Sequence, residues 1–230
     1  GYKKLAEKGK EIWMTEYLIN WNENSGTTRN FDYAKDVFNF FRSINTCMLG
    51  DFNAWIHYAA KRYYGMLGDG QYGTSSGTVT KRGYVMAHFA RFVTGMTRVE
   101  GDISDAAFTP LEGSVYISQS GDTVVAVLIN PSSEERQLTL DLPFYTLKGR
   151  MQSTTRTQNM LYTSLVQEAE TCRPVVLVPS ESVNTILFVR SRDRQVSDMR
   201  GSAVHFDRID GLTPTKTAFG SAYKMSGKSV

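Results

Sequence analysis

Apolar residues recur along this chain at two different periods, and the change between them divides it. Over residues 32–50, Ala34, Val37, Phe38, Phe41, Ile44 and Met48 return at steps of three and four, which predicts an amphipathic helix. Asp32 stands where such a helix is capped and Gly50 where it stops. A second helix is predicted over residues 81–93, with Val85, Met86, Phe89, Phe92 and Val93 on one face and Gly95 as its end. Residues 2–8 have helical composition, closed by Gly9. Between these helices lie two short apolar runs, residues 11–18 and 52–59, which read as strands. Alternating strands and helices point to a parallel sheet.

From Thr97 the period shortens to two. Residues 115–118, 123–129, 137–142, 175–178 and 185–189 are short β-rich runs separated by turn signals such as Gln119-Ser120-Gly121-Asp122 and Asn130-Pro131-Ser132. Leu138, Leu140 and Leu142 share one face, opposite Thr139 and Asp141. This pattern predicts an antiparallel β-sandwich. Beyond Ser191 periodicity is lost. Residues 192–230 are charged, and the stretch around Pro214 reads as linker or tail. The expected organisation is therefore 1–95, 96–191 and 192–230.

Composition narrows the function classes. Apolar content of 41% and aromatic content of 12% supply an ample core. A net charge of +3, with Lys and Arg scattered, lacks the basic stripe of a nucleic-acid binder. No apolar run reaches the ~20 residues needed to cross a bilayer as a helix. Cys47 and Cys172 are expected to be buried free thiols. The glycines of residues 65–77 lack phosphate-loop spacing and any Gly-Lys-Ser/Thr, so a nucleotide site is rejected. No cofactor and no metal are expected; His57 has no second histidine beside it in sequence.

Candidate chemistry begins with Glu16, which ends the run Ile12-Trp13-Met14-Thr15-Glu16-Tyr17-Leu18. A carboxylate at the downstream end of a buried strand is costly unless chemistry or a partner requires it. In βα barrels that end of each strand carries the catalytic side chains. The plain alternative is a strand-end glutamate pointing into water.

Three stretches decide between these readings: KEIWMTEYLIN, FNAWIHYAAKRYYGMLGDG and TKRGYVMAHFARFV. Their sequence, order and spacing resemble glycoside hydrolase family 30, most closely its bacterial glucuronoxylanase branch, over about residues 1–190. The resemblance implies a retaining endo-β-1,4-xylanase, secreted or held in the periplasm or at the cell surface, whose partner is the polysaccharide glucuronoxylan. It implies that Glu16 is the nucleophile. It also implies that Arg62 grips the uronate side group, a task suited to a planar guanidinium. His57 and Tyr58 stand where the family carries two tryptophans. Tyr58 still offers a π-face for a sugar, while His57 reads as a packed neighbour. Tyr17 and Tyr64 flank these positions as further subsite candidates, and Lys61 offers only a point charge.

The family fold implied is a TIM-type (β/α)8 barrel with a β-sandwich side domain. A closed barrel needs ~200 residues or more, whereas about 95 precede the sandwich here. The expectation is the last two βα units of the barrel followed by the side domain, with the acid/base glutamate and the other strands on an N-terminal part of the same enzyme. Other family 30 activities (β-1,6-glucanase or glucosylceramidase-like) and a catalytically inactive carbohydrate-binding remnant are the alternatives.

Overall fold

The structure, a computed structural model, describes residues 3–18, 32–100, 111–191, 213–217 and 220–224. The polar loop expected over residues 20–30, with Glu23, and most of the tail lie outside the described residues. The chain forms two compact units, residues 1–91 and 92–230.

In the first unit a short helix α1 (Lys3–Ala6) leads to β1 (Trp13–Tyr17). A π-helical turn over Ala34–Asn39 runs directly into α2 (Phe40–Leu49), followed by β2 (Ala54–His57) and α3 (Lys81–Ala90). Strands β1 and β2 pair in parallel. The expected helix thus forms between them, starting with π geometry. Asp32 caps it, Oδ1 accepting from the Ala34 amide at 3.0 Å and the Lys35 amide at 3.3 Å. Val37, Phe40, Phe41 and Ile44 are buried on its inner face, and Phe41 meets Phe89 of α3 with ring centroids 5.3 Å apart. Each such fully buried side chain contributes ~1.5–3 kcal/mol.

Helix α3 opens on Thr80, whose hydroxyl oxygen accepts from the Gly83 amide and whose hydroxyl donates to the Gly65 carbonyl. Gly83 is needed for close approach. A Cβ there would stand 2.5 Å from the backbone oxygen of Met66. The apolar face predicted for α3 is present at Val85 and Phe89, but Arg82 and His88 are buried with them. That burial was not expected from the sequence.

The second unit is antiparallel. Its larger sheet contains β3 (Thr97–Val99), β4 (Glu112–Ile117), β5 (Thr123–Asn130), β7 (Thr146–Thr154), β8 (Leu161–Thr171) and β10 (Ser182–Val189), ordered β3-β4-β5-β10-β7-β8. A smaller sheet pairs β6 (Arg136–Thr139) with β9 (Val175–Val178). Leu128, Ile186, Phe188 and Met151 of the larger sheet share one core with Val176 and Val178 of the smaller. Leu138 and Leu140 pack on that core and Leu142 lies within it, as their alternation predicts. Both faces of β5 are buried from Val124 to Asn130, which explains its near-continuous apolar run.

Two turn signals hold. Asp122 Oδ1 accepts from the hydroxyls of Ser120, Ser118 and Thr123, which hold its carboxyl below the usual range. Asn130 Nδ2 donates to the carbonyls of Glu134, Val178 and Pro179 while its Oδ1 accepts from Ser132, closing the turn after β5 against β9. Both cysteines are free. Cys47 is buried, but Cys172 is only half-buried in the bend after β8, where the chain turns at the surface. Within the expected tail, β11 (Thr213–Thr217) and β12 (Gly220–Lys224) pair as an antiparallel hairpin, with Pro214 opposite Tyr223. The β-branched Thr213, Thr215 and Thr217 suit a strand.

Candidate active site

Glu16 sits one residue before the end of β1 and is exposed. Trp13 pairs with Ala54 and Met14 with Trp55, but Tyr17 pairs with His57. Thr15 and Glu16 therefore stand opposite the single residue Ile56, forming a bulge in β1. Bulges bend a strand and re-aim its side chains, and they recur beside active sites. The sequence carries no signal for it. Both strands are also more exposed than their composition suggests: Trp13 of β1 is 55% accessible and Ile56 of β2 46%. Among the described residues β1 and β2 pair only with each other, so the burial expected around Glu16 is not supplied by this sheet.

The other sequence candidates gather on β2 and the loop that leaves it. Tyr58, the first residue past β2, is 46% exposed and donates its amide to the Tyr17 carbonyl at 2.9 Å. Tyr17 is half-buried and turns its ring onto Trp55, centroids 5.5 Å apart. Arg62 is exposed, and its loop closes tightly on itself. The Arg62 amide donates to Leu67 O at 3.0 Å, the Leu67 amide to Ala60 O at 2.9 Å, and the Gly65 amide to Arg62 O at 2.8 Å. Tyr64 is half-buried, its ring edge-on to Tyr63 at 4.8 Å, and Tyr63 meets Tyr72 at 4.5 Å. Tyr17 and Tyr58 are thus joined directly. Arg62 and Tyr64 share one compact loop that follows them.

Behind this surface lies a set of residues that sequence reasoning passed over or treated as packing. Trp55 and His57 project toward the helical side of the sheet. Their rings stack in parallel 5.8 Å apart, and each meets Phe40 of α2 edge-on. His57 is buried. Its Nδ1 lies 2.8 Å from Tyr17 O and its Nε2 3.3 Å from Tyr64 O. Arg82 donates from Nη1 to the same Tyr64 carbonyl at 2.6 Å and from Nε to Asp36 Oδ1 at 3.2 Å, with its guanidinium 5.6 Å above the Phe40 ring. Burial holds the His57 pKa below its usual range, and the Arg82 charge adds to this against the opposing pull of the two carbonyls. The only sequence clue was the odd placement of Asp36 and Arg82 on otherwise apolar helix faces. Among the described residues no group of three or more His, Cys, Asp or Glu is placed to hold a metal.

Comparison with known proteins sets this geometry in context. The chain is 37% identical over 135 residues to glucuronoxylanase XynC of Bacillus subtilis (strain 168), covering 56% of this chain and 28% of that protein. The chain resembles the family 30 glucuronoxylanases. Two solved structures share its fold: a GH30 endoxylanase from Clostridium papyrosolvens C71 (TM-score 0.63, 22% identity) and a glycoside hydrolase family 30 subfamily 8 xylanase from Clostridium acetobutylicum (TM-score 0.63, 24% identity). The likeness covers 82% and 81% of this chain and 44% of each of those chains. The chain thus matches less than half the length of these relatives. No protein-family profile matches it.

Proposed function

We propose that this chain is the nucleophile-bearing, C-terminal part of a retaining glycoside hydrolase that cuts β-1,4-xylan, with glucuronoxylan as the favoured polymer. In this reading β1 and β2 are the last two strands of a TIM-type barrel, and the antiparallel second unit is its β-sandwich side domain. The observation that carries the proposal is Glu16, an exposed carboxylate on a bulge at the downstream end of a parallel strand. The neighbouring strand leads directly into Tyr58 and Arg62. The 37% identity to a glucuronoxylanase supports the choice of substrate.

The chemistry follows from two carboxyl groups ~5–5.5 Å apart across the sugar. The Glu16 carboxylate attacks the anomeric carbon while a carboxylic acid on an earlier barrel strand protonates the departing glycosidic oxygen. The bond to the leaving sugar breaks and a glycosyl ester forms on Glu16. The second carboxylate then deprotonates a water, which displaces Glu16. Tyr58 presents an aromatic face to a sugar ring, Arg62 pairs with the uronate, and Tyr17 and Tyr64 border these subsites. In this reading the enzyme meets its polymer outside the cytoplasm, as a secreted, periplasmic or surface protein.

The resemblance implies two tryptophans where this chain has His57 and Tyr58, and that departure favours one competing reading, an inactive carbohydrate-binding remnant. Glu16→Gln in the complete enzyme separates the two. Loss of an attacking group removes several orders of magnitude of rate, so turnover should vanish while the fold persists. Retention of more than about a tenth of the activity would show that Glu16 is not the nucleophile. A wild-type enzyme that binds xylan but never cuts it would establish the remnant.

A further inference from the structure

We propose that His57 is a positioning residue that fixes the strand end carrying Glu16 by donating to the Tyr17 carbonyl. The proposal rests on the reading of Glu16 as nucleophile. The geometry behind it is a single buried ring between two backbone carbonyls that belong to different parts of the site. Nδ1 lies 2.8 Å from the carbonyl of Tyr17, the residue after Glu16, and Nε2 lies 3.3 Å from that of Tyr64.

The two contacts are chemically unequal. A neutral imidazole carries one N–H, so it donates to one carbonyl only. The shorter distance assigns the proton to Nδ1, donating to Tyr17 O. The Tyr64 carbonyl then takes its strong donor from Arg82 Nη1 at 2.6 Å, while the bare Nε2 stays further off. Neutral His57 and charged Arg82 thereby divide the two carbonyls between them. Burial, and the cation beside it, keep the ring in this form.

Tyr17 O needs such a hold because of where it lies. The pairing of β1 with β2 slips between Met14 and Tyr17, so Glu16 occupies a bulge rather than a regular ladder position. A bulged residue loses part of the ladder that would orient it. Pairing resumes at Tyr17, whose carbonyl accepts from both the Tyr58 amide at 2.9 Å and His57 Nδ1. The second donor comes from a side chain clamped between Trp55 and Phe40. The peptide after Glu16 is therefore fixed by a rigid ring as well as by the backbone. Because misplacement by about 1 Å can cost a hundredfold in rate, this hold acts on turnover.

The test is made in the complete enzyme with two substitutions of opposite character. His57→Phe keeps an aromatic ring against Trp55 and Phe40 but removes both nitrogens. His57→Asn gives up the ring but offers an amide N–H near the position of Nδ1. On glucuronoxylan, His57→Phe should lower kcat about ten- to a hundredfold with KM changed less than about threefold. Its melting temperature should stay within about 4 °C of wild type. His57→Asn should recover kcat to within about fivefold of wild type. Unchanged kcat in the Phe variant overturns the proposal, as does an Asn variant that stays folded yet no more active than Phe. If the Phe variant unfolds, the Asn variant alone decides: a folded Asn variant with kcat within about fivefold of wild type supports the proposal, and a larger loss overturns it. Glu16→Gln run alongside separates the two failures. If it is inactive while His57→Phe is normal, only the role of His57 falls; if it retains turnover, the nucleophile assignment falls and takes this proposal with it.

Discussion

Arg82 and Asp36 form an ion pair in which each side chain is 1% exposed, and removing one charge should reveal what the pair does for the first unit. Arg82→Met keeps most of the aliphatic stem while deleting the guanidinium. It takes a counter-charge from a buried carboxylate, a donor from the Tyr64 carbonyl, and a cation from above the Phe40 ring. Breaking a buried pair from one side costs ~3–5 kcal/mol, because the remaining charge stays desolvated. The lost charge-assisted bond to Tyr64 O is worth ~1.5–3 kcal/mol taken alone, but the two overlap and do not add. The expected total is about 4 kcal/mol, a large part of the 5–15 kcal/mol that holds a typical domain. Asp36→Leu/Arg82→Met removes both charges and should cost at least ~2 kcal/mol less than the sum of the single variants. Urea unfolding of the complete enzyme, followed by tryptophan fluorescence and by circular dichroism, measures both quantities. Trp55 stands against Phe40 beside the pair and reports locally. A single-variant cost below about 1 kcal/mol, or a coupling energy near zero, would refute the view that this pair holds the loop and the helix together.

Other expectations follow from individual contacts. His88 is fully buried and its pKa is pushed down to about 3, so it stays neutral in the fold while the unfolded chain takes up a proton near pH 6.5. Its contribution is complete above about pH 6.5 and is lost as pH falls toward 3, at about 1 kcal/mol per pH unit. Urea midpoints measured across that window should show a flatter acid limb for His88→Leu, and an unchanged slope would contradict it. Gly83→Ala gains ~1 kcal/mol of helix propensity, yet the added Cβ would lie 2.5 Å from Met66 O. The clash should dominate, with a net loss of ~1–3 kcal/mol by thermal melting, and a stabilised variant would show that the loop yields. Arg62→Ala should weaken cleavage of glucuronoxylan about ten- to a hundredfold while undecorated xylan is cut as before, with Lys61→Ala changing less. Equal losses on both polymers, seen in product assays, would make Arg62 structural.

Much of the architecture was written in local pattern. The three-and-four recurrence from Ala34 to Met48 makes a helix wherever it can bury one face, and Asp32 and Gly50 mark its ends for purely local reasons. The period-two stripe of Leu138, Leu140 and Leu142 likewise demands a half-buried strand edge. Strands β7 and β8 escaped notice because their sequences, TLKGRMQST and LYTSLVQEAET, carry few apolar residues and no sustained stripe. Their strand state comes from pairing: β7 lies between β10 and β8, and among the described residues β8 pairs only with β7. The pairing of β7 with β10, distant in sequence, leaves no trace in the residues that make it.

The site divides in the same way. In the proposed site, the place of Glu16 near the end of β1 follows from the βα pattern, whereas Tyr58 and Arg62, just past β2, are singled out only by the family resemblance. The bulge beneath Glu16 was not legible, since it depends on the register of β1 against a strand some forty residues later. Nor was the hold on Tyr17 and Tyr64, in which His57, Arg82 and Asp36 meet from β2, α3 and the turn before α2. Sequence determines which groups are available and which elements they ride on. Only the packed structure decides which buried donor faces which carbonyl, because that choice is made by desolvation and distance among residues that are neighbours in space alone.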